Sequence, residues 1–333
     1  MRHAPLPTPS AATPRLRVGI LLARRFTLAA MANFVDVLRL AADEGDRSRP
    51  IHCSWRVVAP RPGLVEASCG LFVEAEEALG DPARFDYIAV VGGRLGESQW
   101  ISAEAEDWLR RAAEARVPLI GLCTGAFILA RAGLMEGRRC CVSWFHRGDF
   151  LEAFEGMEPV SDQIFVVDGD RLTCSGGAST AHLAAWLVDR HIGSAAARKS
   201  LSIMIVDEVL KAERPQPGLP SDLAPADALV KRALLWMQQR PEHPLPVGDL
   251  ARQLGVSRRK LERRFAADLA MTPAEAGRRM RLAQVRALLG RGGKSVTDIA
   301  AETGFADVSH LIRVFRAAEG VTPEAWRRAR AGA

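Results

Sequence analysis

The chain predicts two folds in succession: a doubly wound α/β domain on a mostly parallel sheet, then an all-α domain with two helix-turn-helix units. Three observations carry this. Up to about residue 210, short apolar runs alternate with segments of helical period, the pattern of a parallel sheet covered on both faces. Residues 214–220 read Arg-Pro-Gln-Pro-Gly-Leu-Pro, a Pro and Gly density that suits a linker and neither element. Beyond it no run reads as a strand, and a tandem repeat fills Asp249 to Pro323.

In order, residues 1–14 are Pro-rich and predict a disordered tail. Val18 to Ala23 is an apolar run expected as a buried strand. From Asn33 to Ala42 the residues Phe34, Val35, Val37, Leu38 and Leu40 recur at helical spacing. Trp55 to Ala59 is a second strand, closed by Pro60, and Tyr87 to Val91 a third, followed at once by Gly92-Gly93. A helix is expected over Ala103–Ala115, a strand over Val117–Leu122 and a helix over Thr124–Ala132. Ile164 to Leu172 predicts a hairpin turning at Asp168-Gly169-Asp170. Helices are expected over Ser179–Arg190 and Ser194–Leu210.

The charge is uneven. The whole chain is +6, yet residues 227–333 hold 20 Lys/Arg against 11 Asp/Glu, and residues 1–226 hold 25 against 28. The basic character therefore belongs to the repeat-bearing third and points to nucleic acid there. The six cysteines form no C-x-x-C pair and no His cluster completes a zinc set, so neither a metal nor another cofactor is expected. Cys140 and Cys141 are expected on a strand, facing opposite ways, and Cys53 and Cys69 as small buried hydrophobes. No signal peptide core or membrane-length apolar run appears. The expected location is the cytoplasm, at the nucleoid, with reduced thiols and no membrane partner.

One turn stands out in the first domain. Gly121-Leu122-Cys123-Thr124-Gly125-Ala126 joins a buried strand to a helix with almost no loop. Such a turn points residue 123 over the carboxyl end of the sheet, as in a nucleophile elbow. Backbone N–H groups at the helix start would favour a thiolate or a bound carbonyl.

Residues 16–210 resemble the class I glutamine amidotransferase-like superfamily, in its PfpI-type branch. The matching residues are Val18 to Ala23, Val90-Val91-Gly92-Gly93, Cys123 through Leu134, Gly137-Arg138-Arg139 and Cys174-Ser175-Gly176-Gly177. The resemblance implies a flavodoxin-like fold. In its enzymes the Cys works with a His and often a Glu. Here the His position falls on Ser143 and the acid position at about Ala30. Without a base beside it, Cys123 has no evident activation. His146, three residues on, would reverse the face on an extended segment. We therefore expect no catalysis and a ligand pocket walled by Gly92, Gly93, Cys123, Thr124 and Trp144, the Trp face suiting a cationic or apolar group.

In the repeat, Asp249-Leu250-Ala251 to Gly255 returns as Asp298-Ile299-Ala300 to Gly304, and Phe265 to Pro273 returns as Phe315 to Pro323. One extra residue enters the second copy after Gly304. Ser257 is a natural N-cap, and Ser295 caps a later helix, with Asp298 three residues on. Leu261, Phe265 and Leu269 face inward, leaving Ser257, Arg258, Arg259, Glu262 and Arg263 outward. In the second copy Leu311, Val314 and Phe315 are core, and Asp307, Ser309, His310 and Arg313 are the exposed set. Arg suits guanine edges and phosphates. Asp307 caps its helix or accepts from a cytosine amine. Residues 227–331 resemble the AraC/XylS-type DNA-binding domain, including Gly320-Val321-Thr322-Pro323 and Trp326-Arg327-Arg328. The resemblance implies that both units bind promoter DNA in successive major-groove turns about 34 Å apart.

The expected organisation is a tail (1–14), a sensor domain (15–210), a linker (211–225) and a DNA-binding domain (226–331). The two resemblances imply a transcription regulator, an activator of nearby catabolic genes, with double-stranded promoter DNA as partner. They also imply a small-molecule effector, an amino acid or other nitrogenous compound, and a homodimer through the N-terminal domain. RNA polymerase is a further partner to consider. The alternatives are a Cys-dependent hydrolase or amidotransferase fused to a DNA-binding domain, and a thiol redox sensor.

Overall fold

The computed structural model describes residues 14–96, 101–216, 223, 225–240, 244–291 and 293–331. The chain divides into two units between Arg214 and Pro215. The expected tail up to residue 13, and residues 217–222 and 224 of the expected linker, lie outside the described residues.

The first unit runs β1 (Leu16–Leu22), α1 (Leu28–Ala41), β2 (Cys53–Ala59), β3 (Gly63–Glu66), β4 (Phe72–Ala75), β5 (Glu77–Ala78), β6 (Tyr87–Val91) and α2 (Ala103–Glu114). It continues with β7 (Leu119–Leu122), α3 (Gly125–Arg131), α4 (Arg147–Ala153), β8 (Phe165–Asp168), β9 (Arg171–Cys174), α5 (Ser179–His191) and α6 (Ser194–Ile203). Seven strands form one sheet in the order β5-β2-β1-β6-β7-β9-β8, all neighbours parallel except the β8–β9 hairpin. The central strands are apolar on both faces because both are covered. Val18, Ile20, Ala89, Val91, Ile120 and Leu122 point to the core beneath α1, α5 and α6. Leu21, Ile88, Val90 and Leu119 point the other way, to the core holding Trp108, Leu109, Phe127 and Phe150. This is the period-two alternation of strands.

Several expectations are corrected. The helix expected to reach Leu210 ends at Ile203, because Ile205 takes a left-handed backbone (φ 57). The chain after it lies on the core through Met204, Val206 and Leu210 instead. Cys140 and Cys141 are not on a strand; Cys141 makes a single bridge with Val160. Cys69 is exposed, because it sits in the turn between β3 and β4, away from the core. That hairpin was not anticipated: Leu64 and Phe72 are exposed on it, so it lacks the buried alternation that marks a half-covered strand. The chain leaves this unit pinned, since the Ile164 N–H is shared by the Ala212 and Arg214 carbonyls at 3.2 and 3.0 Å.

The second unit is helical among the described residues: α7 (Ala228–Gln239), α8 (Val247–Gln253), α9 (Arg258–Leu269), α10 (Pro273–Arg291), α11 (Val296–Glu302), α12 (Val308–Glu319) and α13 (Pro323–Ala331). It has two cores. Val230, Ala233, Leu250, Leu261, Phe265 and Ala276 form the first. Leu282, Val285, Leu289, Ile299, Leu311 and Phe315 form the second. Helix α10 supplies both, its first half to one core and its second half to the other.

Candidate ligand site and nucleic-acid interface

The elbow forms where β7 ends. Cys123 is left-handed, φ 56, a conformation that costs a residue with a Cβ and is held here by the strand before it and helix α3 after it. Gly92 makes room for it: a Cβ there would lie 2.1 Å from the Gly125 nitrogen and 2.4 Å from Thr124 Oγ1. Thr124 Oγ1 donates to the Gly93 carbonyl at 2.6 Å, locking the elbow to the end of β6. Gly176, with φ 91, closes the opposite side; a Cβ there would lie 2.8 Å from Cys123 Sγ. Four expected wall residues, Gly92, Gly93, Cys123 and Thr124, thus meet at the carboxyl ends of the parallel strands, the usual ligand position in such sheets. Trp144 stands on a separate short turn of 3₁₀ helix, Trp144–His146, its ring edge-on to Phe145 at 5.7 Å.

Two residues join the elbow that were not singled out from the sequence. Thr27 Oγ1 lies 3.6 Å from Cys123 Sγ and, among the described residues, is the side chain within hydrogen-bonding reach of that sulfur. Asn33 donates to the Gly177 carbonyl at 3.3 Å, tying α1 to the Gly176-Gly177 turn. Both come from α1 and its entry, some 90 or more positions from the elbow in sequence, so no local pattern marks them.

At the positions where a base was sought, Ser143 is a cap, its Oγ accepting the Phe145 N–H at 3.3 Å. Ala30 is fully buried in α1. The expected reversal of face at His146 does not occur: Ser143 caps a 3₁₀ turn, Trp144–His146, in which three residues complete a turn. His146 meets Asp149 through Nδ1 at 2.8 Å, with its ring edge-on to Phe127, and is not hydrogen-bonded to Cys123. Beside the elbow, burial pushes the Cys174 thiol up to about 11 against the N–H groups of Cys123 and Gly176, which lower it. Burial pushes Cys53 and Cys140 up to about 12 and Cys141 well above its ordinary value. Among the described residues no group of three His, Cys, Asp or Glu side chains is placed to hold a metal.

In the second unit each helix-turn-helix is built from matching parts. Helices α8 and α11 have seven residues each and are followed by left-handed Gly255 (φ 69) and Gly304 (φ 66). Ser257 caps α9, accepting the Lys260 N–H, and Asp307 caps α12, accepting the His310 N–H at 2.6 Å. The capping box at Ser295 and Asp298 closes on both sides. Leu261 and Phe265 of α9, and Leu311 and Phe315 of α12, are buried. That leaves Arg258, Arg259 and Arg263 exposed on α9, and Ser309 and Arg313 exposed on α12. Glu262 holds Arg258 at 2.8 Å, one turn away. His310 is half-buried, edge-on to Phe305 at 5.5 Å. Arg316 was not picked out by sequence; it is exposed and lines a shallow hollow with Ser309, Ile312 and Arg313. Arg264 turns away to Asp227, the cap of α7, at 3.1 Å.

No helix among the described residues is long and apolar enough to cross a membrane. Residues 17–189 match the DJ-1/PfpI family, and residues 250–329 match a helix-turn-helix domain family. The chain is similar to the HTH-type transcriptional regulator GlxA of Rhizobium meliloti, 30% identical over 317 residues that span 94% of this chain and 95% of the relative. It is also similar to the HTH-type transcriptional regulator GbdR of Pseudomonas aeruginosa, 28% identical over 323 residues, 96% of this chain and 86% of that protein. A crystal structure of an AraC family transcriptional regulator from Pseudomonas putida superposes with a TM-score of 0.50 and 24% identity, covering 57% of this chain and 99% of the other, which supports the fold. With a DJ-1/PfpI domain followed by paired helix-turn-helix units, the chain belongs to the AraC-type transcriptional regulators built on that combination.

Proposed function

We propose that the first unit binds a small metabolite over Cys123 without chemistry on it, and that the second reads promoter DNA through α9 and α12. The observation that carries the first half is the company of the sulfur: among the described residues Thr27, a hydroxyl and no base, is the side chain within its hydrogen-bonding reach, and the side chains of Ser143 and His146 make their contacts elsewhere. A nucleophile needs a partner that takes its proton. A binding site needs only shape and a few polar groups. Gly92, Gly93, Cys123, Thr124 and Trp144 are assigned as its walls, with Thr27 and Gly176 added. The effector class is an amino acid or other nitrogenous compound. Its binding regulates only to the extent that it favours one state of the protein over another.

A thermal-shift screen of the full chain against small metabolites tests this reading. The hit should raise the melting temperature of the wild type and still raise it in Cys123→Ala, with no consumption of the ligand by either. Turnover by the wild type that vanishes in Cys123→Ala would instead establish the hydrolase reading.

For DNA, the proposed contacts are Ser257, Arg258, Arg259, Glu262 and Arg263 from α9, and Asp307, Ser309, His310 and Arg313 from α12. Arg259→Ala and Arg313→Ala should each weaken specific promoter binding by roughly 1–3 kcal/mol if they read bases. If they touch phosphate, they should lower the salt slope by about 1. Both variants should melt like the wild type. Unchanged affinity and salt dependence in both would remove α9 and α12 from the groove.

A further inference from the structure

The second unit contains a cleft of about 840 Å³ that neither the metabolite site nor the recognition helices use. Its walls are the end of α7, the start of α8 and the length of α10. Its size falls within the usual range for small-molecule sites. The floor is apolar and soft: Trp236, Met237, Met280 and Leu288 line it. Thioethers make favourable contacts with aromatic rings and adapt to their shape.

The charge of the cleft is one-sided. Among the described residues that line it, four are arginines, Arg240, Arg278, Arg281 and Arg286, and none is Asp or Glu. Arg286 reaches out to Glu319 at 2.6 Å, and Arg240 stacks on Trp236 at 4.3 Å. Arg281 is different. Its Nε is buried and has no hydrogen-bond partner. Its guanidinium lies over the Phe305 ring at 5.5 Å, and among the described residues no carboxylate pairs with it. Burial, and then the like charge of Arg278, disfavour its charged form. A guanidinium half out of water beside another cation is stabilised by an anion that takes its free N–H groups.

We propose that this cleft binds an aromatic carboxylate, its ring on Trp236 and the two methionines and its carboxylate on Arg281. A neutral ligand would leave the guanidinium unpaired, and an inorganic anion would leave the apolar wall uncovered. The occupant would be linked to the second helix-turn-helix through one side chain, because Arg281 packs on Phe305 and Phe305 on His310 of α12.

The test uses the full chain and titrates 2-naphthoate against its neutral counterpart 2-naphthalenemethanol by calorimetry. Two variants accompany it. Arg281→Met removes the charge and keeps the length. Gly277→Leu fills the cleft from α10, where a new Cβ meets the flexible end of Met237 at 3.5 Å. Replacing a helical glycine also favours the helix, so this variant should melt no lower than the wild type. Naphthoate should bind the wild type, and the alcohol should bind about tenfold or more weakly. Arg281→Met should lose about the same factor for naphthoate and little for the alcohol, and Gly277→Leu should lose both ligands. Absence of naphthoate binding, equal binding of acid and alcohol, or wild-type affinity in the two variants would each overturn the proposal. None of these outcomes bears on Cys123 or on the DNA contacts.

Discussion

Ala270 and Gly320 occupy the same place in the two halves of the repeat, one residue past a recognition helix, and both are left-handed, φ 51 and 78. The conformation costs a residue with a Cβ roughly 1–2 kcal/mol and glycine little. Gly320 therefore ends α12 without strain, and Ala270 ends α9 with it. Ala270→Gly should raise the stability of the first helix-turn-helix by about 1 kcal/mol in denaturant melts, less whatever the unfolded chain gains in freedom. A lower midpoint would mean that the alanine methyl is worth more than its strain. Such a cost is invisible from the sequence, because Ala is ordinary beside any helix. The same holds at the elbow: the Cys123 turn could be read from its small neighbours, whereas Thr27 approaches from another element and carries no motif.

At the scale of elements, the central strands, the elbow and both helix-turn-helix units were legible because each has a strong local signature: buried runs, small residues at a tight turn, or a repeated cap and turn. The end of α6 was not, since Val206 and Leu210 keep a helical spacing while packing as irregular chain. What holds that segment is tertiary. The Leu210 N–H donates to Nδ1 of His182 on α5 at 3.3 Å. His182 is buried, and burial holds its pKa below the ordinary 6.5, against the opposing charge of Glu208. His191 on the same helix is lowered too, by burial and by Arg190. The unfolded chain then takes up protons first. Stability is complete above about pH 6.5 and is lost as the pH falls from there toward the folded values. The melting temperature of the first unit should drop from pH 7 to 5, and His182→Asn should flatten that drop. An unchanged pH slope in the variant would show that His182 does not set it.

At the scale of the whole molecule, the chain holds separately built parts. The sheet unit has a core on each face, and each helix-turn-helix has its own core, with α10 common to the last two. Damage should therefore stay local. Phe265→Ala empties a fully buried site and should cost the first helix-turn-helix about 3–5 kcal/mol. Melting followed by hydrogen exchange should show early loss of α9 while the sheet keeps its protection. Simultaneous loss of all parts would mean that they melt as one. The charge division follows the same lines, with the basic third confined to the part that meets DNA.

The elbow also constrains what can be built beside it. Gly92 and the left-handed Cys123 fix a turn that a side chain at position 92 could not enter. Ala30 is sealed within the α1 core, so an acid introduced there would bury a carboxylate in filled space. The packing acts as a ratchet: position 30 admits small uncharged side chains and resists a charged one.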